Sequence, residues 1–330
     1  MNKKITINEI AKIANVSKTT VSRFLNQKFE NMSQATKEKI ERTIQEYDYQ
    51  PNRQAQTLKT QSSLTIGISV ADLSNLYTSR LLKGISQTFQ DTNYQLLIMD
   101  ADNHQEREIN NIQVLLNENV DGIILQPLSH IPSQYQLLVD QGLPVIQVDR
   151  YVEPFTFPAI VSDNFQKSLE IADLVQAKQY EQILVLANQI SGISSRMNRF
   201  DGLSNALTES NISVSLIEID LDSDWHTKVM QFIEQPQKTA IFALNGQVLW
   251  EVVRFLQKNQ IIYPKDVGLI GYDDDNFADL IQPGISVIKQ NPHQIGQTAA
   301  KYLLDQLQNK TPMKPQNIRI AAELELRHSL

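Results

Sequence analysis

Lys18, Thr19, Ser22 and Arg23 fall on one side of a short amphipathic stretch, SKTTVSRFLN (17–26). All four donate hydrogen bonds, and none has a bulky branched side chain. A helix presenting such a row in a major groove reads base edges and neutralises phosphates. A second polar set follows the apolar runs of the chain. Asp72, Asn75 and Tyr77 come after LTIGISV (64–70), and Asp149 and Arg150 after PVIQV (144–148). Arg199 lies in the segment after QILVLA (182–187), Asn245 follows TAIFAL (239–244), and Asp273 and Asp274 follow VGLIGY (267–272). Carboxylates, amides and guanidinium groups ringed in this way suit a polyhydroxylated ligand, with Tyr77 and Trp225 as stacking faces. Any one of them alone is equally a helix cap. No nucleophile–base pair, phosphate loop or metal-ligand spacing accompanies them, so the chemistry is recognition, not catalysis.

The elements that must position the first set are legible. Thr6 and Glu9 form a capping box, and Ile10, Ala11 and Ala14 share the inward face of a first helix. Asn15 tolerates the left-handed turn that a sharp exit needs. Ser17 caps a second helix with Val21 and Leu25 inward. Ser33 caps a third, Gln34 to Tyr47, whose Ile40, Ile44 and Tyr47 recur at helical spacing. Pro51 stops it. The linker PNRQAQTLKTQSS (51–63) is too short to be a stable helix alone and is expected to become one only on a partner or on DNA. Its Leu58 is an apolar side chain among polar ones, the chemistry of a wedge between base steps.

From Leu64 onward, eight apolar runs alternate with amphipathic segments such as Glu106–Glu118 and Val248–Asn259. Continuously apolar strands separated by helices imply parallel sheets covered on both faces. The expected fold class is α/β: a three-helix head and a linker, then two doubly wound subdomains with a ligand cleft at the strand carboxyl ends.

Composition narrows the partners. A formal charge of −7 conceals an asymmetry: residues 1–60 hold 11 basic and 6 acidic side chains, the remainder 19 and 31. A basic head on an acidic body is the footprint of a nucleic-acid-binding module joined to something else. The absence of cysteine excludes disulfides and thiolate metal sites. With no apolar run of membrane length and no signal peptide, a cytoplasmic location with no membrane partner is expected. A secreted solute receptor would lack the basic head, and an enzyme would need the missing catalytic groups.

Over essentially its whole length the chain resembles the LacI/GalR family of bacterial transcription regulators. The resemblance is carried by SKTTVSRFLN (17–26), YDYQPNRQAQTL (47–58), RFDGL (199–203), PKDVGLIGYDD (264–274) and ELELRHSL (323–330). It implies a DNA-binding head at 1–50, a hinge at 51–62 and a core at 63–330 similar to periplasmic sugar-binding proteins. Within that core the expected subdomains are 63–162 with 290–322, and 163–289 with 323–330. The DNA-contacting set it implies is Thr6, Ser17, Lys18, Thr19, Thr20, Ser22, Arg23, Asn26, Asn52, Arg53, Ala55 and Leu58. The effector set is Asn75, Tyr77, Arg150, Arg199, Trp225, Asn245 and Asp273. A homodimer on a palindromic operator is implied, and no cofactor. No C-terminal heptad run is present, so a tetramer is not expected. Where the family usually has Asn-Asp, this chain has Asn245-Gly246. That pair and GYDDDNFADLIQPGISVIKQ (271–290) resemble the branch regulating uronate and 2-keto-3-deoxygluconate catabolism. The implied effector is a sugar acid such as 2-keto-3-deoxygluconate or its phosphate, with a neutral sugar as the alternative.

Overall fold

The computed structural model describes residues 5–25, 28–30, 32–49, 62–222, 224–273, 277–309 and 314–330. Asn26, Asn52, Arg53, Ala55, Leu58 and Asp274 lie outside the described residues. The chain divides into two compact units, Met1–Ser63 and Leu64–Leu330.

The first unit is built on α1 (Ile7–Ile13), α2 (Lys18–Leu25) and α3 (Gln34–Glu46). The capping box forms: the Thr6 amide donates to Glu9 Oε2 at 2.7 Å, and the Glu9 amide to Thr6 Oγ1 at 3.4 Å. Asn15 takes φ 51° and turns the chain out of α1. Ile10, Ala14, Val21 and Ile40 are fully buried around one small core. Tyr47 was expected in that core but is 44% exposed, and Tyr49 is buried in its place. The reason is the helix exit. Asp48 sits at φ 43°, and the Tyr49 amide turns back to Ile44 O at 3.0 Å, which swings Tyr49 under the helix.

In the second unit, β1 (Thr65–Val70), β2 (Gln95–Asp100), β3 (Gly122–Leu125), β4 (Val145–Val148) and β5 (Ala159–Ser162) enter a first sheet. They are linked by α4 (Leu76–Phe89), α5 (Gln105–Asn117) and α6 (Gln136–Gln141). The chain then builds a second sheet. It runs through α7 (Asn164–Ala177), β6 (Gln182–Ala187), α8 (Ser194–Leu207), β7 (Ser213–Glu218) and α9 (Trp225–Ile233). β8 (Thr239–Ala243), α10 (Gly246–Lys258), β9 (Gly268–Tyr272) and β10 (Ser286–Lys289) complete it. The chain returns through α11 (Pro292–Asn309) to β11 (Asn317–Ile320) on the first sheet, and crosses back to β12 (Glu323–Glu325) on the second.

Among the described residues each sheet has six strands, ordered β11-β5-β4-β3-β1-β2 and β12-β10-β9-β8-β6-β7. Among the described residues only β10 and β12 pair antiparallel. The central strands are buried along their length, as β3, β4, β6 and β8 show, because helices cover both faces. The edge strands β2 and β7 expose part of theirs. Two helices of the first subdomain, α4 and α11, touch backbone to backbone. A Cβ built on Gly84 would lie 2.1 Å from His293 O, and one on Gly296 would lie 2.2 Å from Leu81 O.

Candidate functional site

On the head, Lys18, Thr19 and Arg23 are exposed, and their side chains make no hydrogen bond or ion pair among the described residues. Ser22 is half-buried on the same helix. Three members of the expected DNA set already have local roles. Thr6 completes the capping box, Ser17 Oγ accepts the Thr20 amide at 3.1 Å, and the Ser17 and Thr20 hydroxyls lie 2.8 Å apart. The exposed donors project from a helix whose inward Val21 is locked in the core.

In the core, the carboxyl ends of the strands face one another and gather charge. Asp149, at φ 65° directly after β4, is 7% exposed and accepts from Gln126 Nε2 at 2.9 Å. Gln126 Oε1 in turn accepts the Ala71 amide at 3.0 Å, tying the ends of β1, β3 and β4 together. Arg150 is also buried. Its Nη1 donates to Pro127 O at 3.5 Å, and its Nε lies 3.4 Å from Asp149 Oδ2 without making a hydrogen bond. From the second sheet, Arg199 gives Nε to Asn164 Oδ1 at 2.9 Å and Nη1 to Leu244 O at 2.7 Å. Its guanidinium carbon lies over the Tyr272 ring, 3.7 Å from the centroid. Asp273, at φ 69° after β9, accepts from Gln290 Nε2 at 2.8 Å.

Tyr77 shows that the two sets converge. Its hydroxyl is buried without a hydrogen-bond partner. Its pKa is raised well above the phenol value, first by burial, then by the charges of Asp149 and Asp273, while Arg199 opposes them. Groups from both sheets therefore act on one atom.

Not every expected residue joins this group through its side chain. Asn75 Oδ1 caps α4 by accepting the Tyr77 amide at 2.9 Å. Asn245 Oδ1 caps α10 at Val248, and its Nδ2 donates to Asn188 Oδ1 at 2.9 Å. Trp225 packs in the core of the second subdomain, stacked on His226 at 3.8 Å and tilted against Phe255 at 5.4 Å. An open depression of about 840 Å³ between β7 and α9 contains no member of the cleft group.

Arg196 was not among the expected residues. It sits in the first turn of α8, and its Nη1 donates to Gln189 O at 2.8 Å. Burial, then the neighbouring charges of Arg150 and Arg199, lower its pKa to about 10, against the opposing pull of Asp220 and Asp149. Arg150, Arg196 and Arg199 are thus a cluster of cations near enough to repel one another. A basic residue opening a helix reads as solvated surface in the sequence; only the fold sets it beside Arg150.

Glu108 on α5 is the second residue the sequence did not single out. It is 2% exposed, accepts the Leu128 amide at 2.9 Å and the Tyr135 hydroxyl at 3.0 Å, and so pins the loop after β3 that carries Pro127. Burial pushes its carboxyl up to about 7, against the two hydrogen bonds and the Arg150 charge. Between the ordinary value of 4.5 and about 7, the folded chain keeps a proton that the unfolded chain has released. Stability therefore falls as pH rises through that window and levels off above it, by on the order of 3 kcal/mol. Glu108→Gln is expected to flatten that slope. Urea midpoints at about pH 5 and about pH 8 measure it, and an unchanged slope would assign the pH dependence to other groups.

The comparisons with known proteins agree with this architecture. Residues 6–52 match the bacterial regulatory proteins of the lacI family, and residues 173–330 the periplasmic binding protein-like domain. The transcriptional regulator KdgR of Bacillus subtilis is 30% identical over 331 residues, covering 98% of this chain and 97% of that one. The regulator PtxS of Pseudomonas putida is 29% identical, covering 92% and 90%. The lac repressor dimer bound to operator and the anti-inducer ONPF superposes with a TM-score of 0.83 at 25% identity, over 99% of both chains. Head, paired sheets and full-length relatives lead to one conclusion: the chain belongs to the lacI family of DNA-binding transcription regulators.

Proposed function

We propose that this regulator represses genes of sugar-acid or uronate catabolism, and that a small sugar acid bound between the two sheets of its core changes its operator affinity. The observation that carries the reading is the cluster of Arg150, Arg196 and Arg199 at the cleft, where burial first and the Arg150 and Arg199 charges next lower the Arg196 pKa. An anion among them relieves that repulsion, and guanidinium groups match carboxylate geometry. Gly246 supports it too, since a carboxylate usual in the family is missing beside Asn245. The effector set is Asn75, Tyr77, Arg150, Arg199, Trp225, Asn245 and Asp273, to which Arg196 is added; the residue-level DNA contacts are those named from the resemblance. The head at 1–50, hinge at 51–62 and core at 63–330 act in a cytoplasmic homodimer on a palindromic operator. 2-Keto-3-deoxygluconate or its phosphate is the specific ligand put forward.

Titration calorimetry on the whole protein tests this. 2-Keto-3-deoxygluconate is expected to bind more tightly than glucose or galactose. Arg199→Ala is expected to weaken that binding by about 2 kcal/mol or more, the scale of a lost charge-assisted contact. A neutral sugar binding better than every acid tried would instead give Asp149 and Asp273 the leading role.

A further inference from the structure

Lys37 carries its charge where a helix does not favour it. It closes the first turn of α3, the positive end of that helix, and no acidic residue shares the turn. Glu41 lies four residues on, a spacing that commonly makes ion pairs. Yet among the described residues no ion pair or hydrogen bond holds the Lys37 ammonium. Its Nζ reaches back instead to the loop before the helix and sits 4.2 Å from the centroid of the Phe29 ring. A ring face attracts a cation through its quadrupole and leaves the net charge in place. The ammonium is therefore positioned without being neutralised.

Phe29 is itself fixed to the helix that carries Arg23. Its ring meets Phe24 of α2 edge to face, with centroids 5.9 Å apart and planes at 69°. The Lys28 amide donates to Arg23 O at 2.9 Å, and the Met32 amide to Phe29 O at 2.9 Å, so the loop is tied on both sides of the ring. Phe24 follows Arg23 directly and lies about 100° farther round α2. The stack of Phe24, Phe29 and Lys37 thus stands on the flank of α2 beyond Arg23. A helix laid in the major groove has a sugar–phosphate backbone running along each flank.

We infer that Lys37 is a contact to the DNA backbone and that Phe29 is the platform that positions it. The ammonium meets a phosphate beside the bases that α2 reads. This rests on α2 being the reading helix, and neither residue belongs to the DNA set named from the resemblance. The two sides of the stack divide the work. Arg23 and its neighbours discriminate between sequences, while Lys37 adds affinity that is independent of sequence and fixes the register of the head.

Fluorescence anisotropy on the full-length protein, with operator and with unrelated duplex over a series of salt concentrations, is the test. Lys37→Gln is expected to weaken binding to both duplexes by the same factor, about fivefold or more, and to leave their ratio unchanged. The slope of log affinity against log salt is expected to fall by about 0.9 for each head engaged, the value of one lost phosphate contact. Lys37→Arg keeps the charge and stacks equally well on a ring, so it is expected to restore affinity and slope. Phe29→Leu keeps the charge without the ring face and is expected to lose part of the affinity for both duplexes. Lys39→Gln makes the same charge change about 200° away around α3 and is expected to leave the slope as it is. A slope unchanged in Lys37→Gln, or one that falls equally in Lys39→Gln, overturns the contact. Loss on operator alone overturns the backbone assignment in favour of a base contact. Arg23→Ala measured alongside separates the two readings. If it loses the operator while Lys37→Gln behaves as wild type, only the Lys37 contact fails; if both behave as wild type, α2 is not the reading helix.

Discussion

Gly84→Ala is expected to destabilise the core strongly, although alanine is the better helix former. In an open helix the exchange would gain roughly 1 kcal/mol from propensity. Here the new methyl would sit 2.1 Å from His293 O and 3.0 Å from the Gln297 amide nitrogen, atoms of a backbone that cannot rotate away. Gly296 answers with its own contact on Leu81 O, so α4 and α11 cannot shift apart at one point without losing the other. The helices must separate along their length and uncover Leu81, Ile85, Ile295 and Ala299, all fully buried. Overpacking of this kind costs about 1–3 kcal/mol, and more where backbone is the obstacle, so the clash outweighs the propensity gain. A lowered urea midpoint is the expected reading, with Gly84→Val too unstable to purify folded. An alanine variant as stable as wild type would mean that the two helices lie farther apart than described.

Arg23→Ala is expected to abolish specific operator binding without changing the fold or the affinity for effector. Arg23 is exposed at the outward side of α2 and its side chain makes no hydrogen bond or ion pair among the described residues, so its truncation leaves no orphaned partner behind. On DNA, a charge-assisted contact of this type is worth about 1–3 kcal/mol at each head, and in the proposed homodimer two heads engage a palindrome. The combined loss is roughly 10² to 10⁴ in affinity. Fluorescence anisotropy on operator and on unrelated duplex at physiological salt separates readout from general charge. A footprint that survives the substitution would move the reading helix elsewhere in the chain.

What could be seen in the sequence was long or periodic. The capping box at Thr6, the buried stripe at Ile10 and Ala14, and eight apolar strands all announce themselves. Ala159–Ser162, Ser286–Lys289, Asn317–Ile320 and Glu323–Glu325 were not recognised as strands, since runs of three or four residues are too short to establish a period. The last two also lie at sheet edges and carry polar side chains on their open side. At the cleft, Asp149, Arg150, Arg199 and Asp273 were legible because they follow strand ends or open the next segment. Arg196 and Glu108 were not, because a charge on a helix looks the same whether water or another charge faces it. Trp225 was legible only as an aromatic at a helix start, which can face a ligand or its own core; the fold shows it packed against His226 and Phe255.

The three crossings between the sheets, near residues 163, 290 and 321, have a consequence for how the chain is made. Ribosomes deliver it from the N-terminus, so the small head unit is complete once Ser63 has been made. The first sheet has most of its strands by Ser162 but must wait for α11 and β11, some 150 residues later, to gain its last edge strand and the partner of Gly84. The second sheet begins and nearly finishes inside that interval. The small unit that reads DNA is therefore synthesised well before the large unit that follows it can close, and any nascent chain released early carries the reader without the rest.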